Sequence, residues 1–226
     1  MPNSGCDVDI KIEKVDAVSP DLNVLEQARK LIMRGEVVVC PTDTGYAFSA
    51  NALDTKAIAQ VFRLKGRSFT NPIHMAVGSI EDAEKYVQVN DAARHLAKHF
   101  LPGALTLVLG RREKVPSLLV AGLDTVGIRI PDNRVIISLV VKCDRPLTTT
   151  SANISGQPTP YTVEEILEQM KENVKGIALI LDQGPIIKRE LSTIVDLTAS
   201  PPQLIRQGRV SWLEIREVLN RLQSSN

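Results

Sequence analysis

Aromatic side chains are scarce: one Trp, three Tyr and four Phe make up 4% of the 226 residues. Little surface remains for stacking bases, so binding of single-stranded nucleic acid on aromatic platforms is disfavoured. An excess of charge is lacking too. Lys and Arg number 27 against 26 Asp and Glu, a formal net charge of +1, so any anion site must be local rather than a property of the whole surface. The cysteines, Cys6, Cys40 and Cys143, are few, odd in number and widely spaced. They form no disulfide framework and no CxxC pair, as expected in a reducing compartment. No apolar run approaches the ~20 residues of a membrane-spanning helix. The opening MPNSGCDVDIKIEK lacks the apolar segment of a secretory signal. These absences predict a soluble, cytoplasmic chain with no membrane partner.

The common signatures of chemistry are missing as well. There is no GxxxxGK[ST] loop and no GxGxxG, which argues against standard phosphate-loop and dinucleotide folds. No GxSxG elbow is present. His95 and His99 stand four apart on an expected helix, but Leu96, Ala97 and Lys98 between them carry no HExxH glutamate, so a structural or solvated role is favoured over metal ligation. His74, in a strand-like run, is ambiguous.

Helix and strand signals alternate along what is there. The stripe Val24, Leu25, Ala28, Leu31 and Ile32 predicts a helix over residues 21–34, stopped by Gly35. Residues 37–40 read as a buried strand ended by Pro41, and residues 54–64 return to helical period. Strands are expected at 73–77, 105–109, 126–130, 177–181, 193–197 and 203–206, and a helix at 135–141. Thr162 with Glu165 and Ser211 with Glu214 form capping boxes for two later helices. The pattern predicts one α/β domain at residues 21–221, with an N-terminal extension (1–20) and a short tail (222–226). Its large twisted sheet would mix parallel and antiparallel strands, because residues 193–206 look like a hairpin.

Three polar clusters adjoin these strands. PTDTGYAF (41–48) places Thr42, Thr44 and Tyr46 around the turn formers Asp43 and Gly45. LKGRSFTNP (64–72) sets Lys65 and Arg67 at a loop mouth, as a point charge and a planar fork suited to phosphate oxygens. Neither cation is expected to contribute core packing. RPLTTTSANISGQPTP (145–160) gathers Thr148, Thr149, Thr150, Ser151 and Asn153, which bring hydroxyls and an amide but no charge. Taken singly, each cluster is explained equally well by a turn, a solvated helix end or a strand entering a loop.

The order PTDTGYAF, ANALD, KGR with NP, PGALTLVL, VGIRIP, TSANISGQP, STIVDLT and LIRQG, from about residue 37 to 208, resembles the YrdC/TsaC family. The resemblance implies a twisted α/β sheet with a concave, positive cleft. It also implies L-threonylcarbamoyladenylate synthesis from ATP, bicarbonate and L-threonine, with pyrophosphate released. The product would serve tRNA N6-threonylcarbamoyladenosine (t6A37) modification through a downstream threonylcarbamoyl transferase complex. By the same resemblance Lys65 and Arg67 are catalytic, and Lys65, Arg67, Asn71, Ser151, Asn153 and Arg206 bind ATP. Thr44, Arg129 and Ser192 would hold threonine, and Mg²⁺ would be held mainly by phosphate oxygens rather than by protein ligands.

Two positions depart from the family pattern. Many members read TVYGL where this chain has Thr44-Gly45-Tyr46-Ala47-Phe48, which is closer to the YciO branch, and a histidine common after the NP strand falls at Ala76. The alternative reading is a non-catalytic protein of this family that binds double-stranded RNA or the ribosome. With balanced charge and few aromatics, any RNA binding would be weak and salt-dependent.

Overall fold

Helix α1 (Leu22–Met33) begins where the Asp21 carboxylate accepts hydrogen bonds from the N–H groups of Asn23 (2.6 Å) and Val24 (3.3 Å). It ends at Gly35, whose φ of +85° is left-handed. Leu25, Ala28 and Ile32 are the buried stripe. The computed structural model describes residues 10–187 and 190–223, so Cys6 lies outside the described residues.

Eleven strands among the described residues form two mixed sheets, not the one large sheet expected. The first runs in the order β1 (Ile12–Lys14), β9 (Leu179–Asp182), β2 (Val38–Thr42), β3 (Gly45–Ser49), β8 (Thr150–Ser151). The second runs β11 (Gln203–Arg206), β10 (Thr193–Asp196), β5 (Leu105–Gly110), β6 (Thr125–Arg129), β4 (Met75–Ala76), β7 (Leu147–Thr148). Pairing is parallel for β1–β9, β2–β9, β5–β10 and β4–β6, and antiparallel elsewhere, including the expected β10–β11 hairpin. The first strand comes from the region read as an N-terminal extension. From Ile12 that region supplies an edge strand whose residues pair with 180–182.

Strand β2 is buried on both faces, as its unbroken VVVC run suggests. Val37 and Val39 enter the main core with Phe48, Ile58 and Val195, whereas Val38 and Cys40 face a second core under α1 and α5 (Arg134–Cys143). Pro41 does not end this strand, contrary to the expectation from its sequence. It pairs with Tyr46 inside a tight hairpin, and the Tyr46 N–H turns away to the Pro160 carbonyl at 3.0 Å. Such a pair exchanges no main-chain bond, so the missing proline N–H costs nothing there.

The remaining helices are α2 (Thr55–Lys65), α3 (Ile80–Ala83), α4 (Asp91–Phe100), α6 (Val163–Met170) and α7 (Trp212–Gln223). Each capping box forms one of its two reciprocal bonds. The Thr162 hydroxyl accepts from the Glu165 N–H, and the Ser211 hydroxyl accepts from the Leu213 N–H instead of the Glu214 N–H. Ser211 N–H donates to Glu214, while in the other box Glu165 reaches the N–H of Tyr161 rather than that of Thr162. The strand expected at 73–77 shrinks to Met75–Ala76, since Ile73 N–H bonds to the Leu119 carbonyl, outside the ladder.

Candidate functional site

One stretch of chain joins the two sheets. Strand β7 pairs with β4 in the six-stranded sheet, and β8, two residues on, pairs with β3 in the five-stranded one. Thr149 is the step between them, and its N–H donates to the His74 carbonyl at 2.9 Å. A run of small hydroxyl residues fits this place: the backbone is committed to both sheets while the side chains stay polar. Thr149, Thr150 and Ser151 line a cleft of about 710 Å³, counting the space open to solvent. Arg67, Arg129 and Arg206 also line it, and among the described residues no Asp or Glu does.

The other walls come from element ends. The β2–β3 turn brings Thr44 and Gly45, with the Thr42 hydroxyl donating to the Gly45 carbonyl at 2.7 Å. Gly45 has a φ of +135°, and a Cβ there would lie 2.5 Å from Thr159 Cγ2. This turn can therefore approach the 159–160 segment only as glycine. Arg129, at the end of β6, is 4% exposed. Its guanidinium donates to Asp43, to the Thr44 hydroxyl and, at 3.0 Å, to the Gly103 carbonyl. Three of its five N–H groups are thus used, and two remain for a ligand. Burial draws its pKa down, and the Asp43 carboxylate pulls the other way.

Arg206, on β11, holds Ser192 through the main-chain carbonyl (2.9 Å from Nη2) and the hydroxyl (3.1 Å), and Thr106 donates to the same hydroxyl at 3.0 Å. Arg67 folds back on its own loop, donating to the carbonyls of Asn71 (3.0 Å) and Pro72 (2.8 Å). Burial holds both guanidiniums below their ordinary value, and neither has a carboxylate partner among the described residues. Such cations favour an anionic ligand.

The expected site residues do not all meet. Thr44, Arg67, Arg129, Ser151, Ser192 and Arg206 line the cleft; Lys65, Asn71 and Asn153 do not. Asn71 is exposed, tied in through its main-chain carbonyl. Lys65 is not the exposed cation at a loop mouth that the sequence suggested. It is 2% exposed, and its Nζ donates to Ser151 O (2.6 Å), Asn153 O (3.1 Å) and Asn153 Oδ1 (2.8 Å). Three acceptors match the three N–H of an ammonium. Burial, then Arg67, lowers its pKa to about 7. Lys65 closes the buried face of α2, three and four residues on from buried Phe62 and Val61, and Gly66, at φ +53°, caps the helix behind it.

Sequence reasoning missed Asp43, taken only as a turn former, and left His74 unassigned. The signal for His74 is strand alternation. Ile73 and Met75 are buried in the core, so residue 74 faces the other side, which here is the cleft. His95 and His99 lie far along α4, with His99 Nδ1 2.8 Å from the His95 carbonyl. Cys40 and Cys143 are buried, and burial pushes their thiols up to about 12 and about 11, so neither is a nucleophile.

A family model for Sua5, YciO and YrdC proteins, described as "Telomere recombination", matches residues 30–208. A putative threonylcarbamoyl-AMP synthase of Methanocaldococcus jannaschii is 41% identical over 185 residues, which is 82% of this chain and 86% of the relative. The crystal structure of Pyrococcus abyssi Sua5 complexed with L-threonine is 36% identical with a TM-score of 0.86, and it covers 92% of this chain. This chain spans only 60% of that longer protein. E. coli YciO superposes with a TM-score of 0.80 at 25% identity, over 89% of this chain and 97% of its own.

Proposed function

This chain belongs to the Sua5–YciO–YrdC family, and we propose that it is an L-threonylcarbamoyladenylate synthase that makes threonylcarbamoyl-AMP and pyrophosphate from ATP, L-threonine and bicarbonate. The observation that carries the reading is the cleft: three arginines, a ring of hydroxyls and, among the described residues, no carboxylate in its lining. Every substrate is an anion or bears one, and a site of this composition holds anions together without adding a competing charge.

The chemistry needs little more than that. The threonine nitrogen takes up bicarbonate carbon to give a carbamate and water. A carbamate oxygen then attacks the α-phosphorus, and pyrophosphate leaves. Positioning and electrostatic stabilisation dominate such phosphoryl chemistry. Arg67 and Arg206 would meet the phosphates, and the Ser151 hydroxyl would complete the nucleotide site. Arg129 would clamp the amino-acid carboxylate with its two remaining N–H groups, beside Thr44 and Ser192. Lys65 and Asn153 would act from behind, by fixing the 151–153 turn against which the nucleotide lies. Asn71 would fix Arg67 through its main-chain carbonyl.

Magnesium would enter as part of the ATP substrate. The described cleft lining has no carboxylate to bind it, and Mg²⁺, which keeps much of its water, is well served by phosphate oxygens. The adenylate product would pass to a downstream transferase that modifies tRNA in the cytoplasm. No described helix is long and apolar enough to cross a membrane.

Incubation with ATP, threonine and bicarbonate tests the proposal. Pyrophosphate release dependent on all three is expected. A protein that only binds RNA in this cleft would release none.

A further inference from the structure

Among the described residues, His74 is the one imidazole in the cleft lining. Space for it is made by Gly127 on the neighbouring strand β6, where a Cβ would lie 2.6 Å from His74 Cδ2. Thr149 bonds its main-chain carbonyl, and among the described residues neither ring nitrogen has a hydrogen-bond partner. The charged groups around it are all cations: Arg206 from β11, Arg67 from the loop after α2, and Arg129 from β6. Thr106 and Thr149 add only hydroxyls to this part of the lining. Burial first, and then these three guanidiniums, lower its pKa to about 4. At neutral pH it is therefore an uncharged ring, with one nitrogen lone pair that no described protein group uses.

Synthesis of the adenylate leaves one proton unaccounted for. An amino acid arrives as an ammonium, which cannot attack carbon until it is deprotonated. Guanidiniums only donate hydrogen bonds, and hydroxyls are poor bases. Building on the synthase reading, we propose that the His74 imidazole accepts the proton that the threonine ammonium must lose before its nitrogen is carboxylated, making His74 a catalytic residue of the carbamate step. The step balances: the ammonium and imidazole become amine and imidazolium, and the amine and bicarbonate become carbamate and water. The imidazolium gives its proton to solvent once the products leave.

The arginines set the order of events. Without ligand, their field opposes an imidazolium. ATP phosphates drawn to Arg67 and Arg206 offset most of that field, and the threonine carboxylate on Arg129 the rest, so His74 becomes a competent base only in a cleft already loaded with nucleotide. Carbamate, which is labile, then forms next to the phosphorus it must attack.

The test uses the full chain, with pyrophosphate release followed from pH 7 to 9 in wild type and in His74→Gln. For the wild type the rate should change little over this range. For His74→Gln it should fall roughly a hundredfold at pH 7 and then recover about tenfold per pH unit, as solvent deprotonates the amine instead. A second measurement needs no variant: NMR titration of the wild-type imidazole with and without a non-hydrolysable ATP analogue. The expected result is an upward shift of its pKa by about one unit or more when the analogue is bound. Should His74→Gln keep the wild-type rate and profile, or should the imidazole titrate identically with the analogue bound, the inference is overturned while the synthase reading stands. If wild type releases no pyrophosphate with all three substrates, the synthase reading itself fails and takes the inference with it.

Discussion

The ammonium of Lys65 lies 2.8 Å from Asn153 Oδ1, and the same amide oxygen takes the Ser151 hydroxyl at 2.6 Å. One cation at the end of α2 thus ties down the hydroxyl-rich turn whose Ser151 lines the cleft. The Asn153 amide in turn donates to the carbonyls of Gln157 and Pro158, which carries the tether on toward the loop before α6.

Removing that tether should damage more than catalysis. Lys65→Ala takes the ammonium from three acceptors. Ser151 O keeps the Asn153 N–H and Asn153 Oδ1 keeps the Ser151 hydroxyl, so among the described groups the Asn153 carbonyl loses its donor, an expected loss of about 1–3 kcal/mol of stability. Urea denaturation measures it. Arg67→Ala, which frees two carbonyls at a partly exposed loop, should retain near wild-type stability yet lose about ten- to a hundredfold in turnover. Equal stability losses in the two variants would remove the distinction drawn between them.

The Lys65 pKa also predicts a pH dependence. It is about 7 in the folded chain against 10.5 for the free group. Between those values the unfolded chain binds the extra proton, so the contribution is fully present above 10.5 and is lost as pH falls through 7. Measured against Lys65→Met, wild-type stability should therefore rise from about pH 7 to about pH 10. Bound nucleotide should flatten the trend, because phosphate near the cleft favours the charged lysine. A flat difference in the ligand-free protein would contradict the buried-lysine account.

Arg129 is expected to separate the two substrates. Arg129→Lys cannot keep Asp43, Thr44 and Gly103 while presenting a bidentate fork. The KM for threonine should rise about ten- to a hundredfold, with that for ATP changing far less. Asp43→Asn should move threonine binding in the same direction and by less, since the guanidinium stays but loses its charged anchor. Steady-state titration of each substrate decides; parallel changes in both KM values would mean that Arg129 is structural.

At Gly45, substitution by valine, the residue common in the family, should fail in this chain. The φ of +135° costs a branched residue about 1–3 kcal/mol by itself, and the Thr159 methyl leaves no room for the side chain. Thermal denaturation of Gly45→Val should show a clear loss that Gly45→Val with Thr159→Gly only partly restores. Full stability in the single variant would mean that the hairpin can move away from residues 159–160.

Selectivity among amino acids should be modest. A pocket that packs one methyl discriminates threonine from serine by roughly 10- to 200-fold in kcat/KM. Product formation with glycine as efficient as with threonine would show that no such pocket exists.

Periodicity and caps along the chain determined most elements before any contact was known. The Leu25–Ile32 stripe, the Thr162 and Ser211 caps and the β10–β11 hairpin are local consequences of side-chain spacing and backbone chemistry. The motifs likewise named six residues that do line one cleft. Long-range pairing decided what lay beyond local reading. The run 147–151 looks like one strand, yet it serves two sheets, because its partners Met75 and Phe48 come from distant segments. Lys65 reads as a solvated helix end, and it is buried only because residues 151–153 return to meet it. Asp43 reads as a turn residue until β6 delivers Arg129 beside it, and His74 acquires its place only where Gly127 leaves space. Spacing along a chain specifies which way a side chain points; what it meets there depends on segments tens of residues away, and tertiary packing alone brings those together.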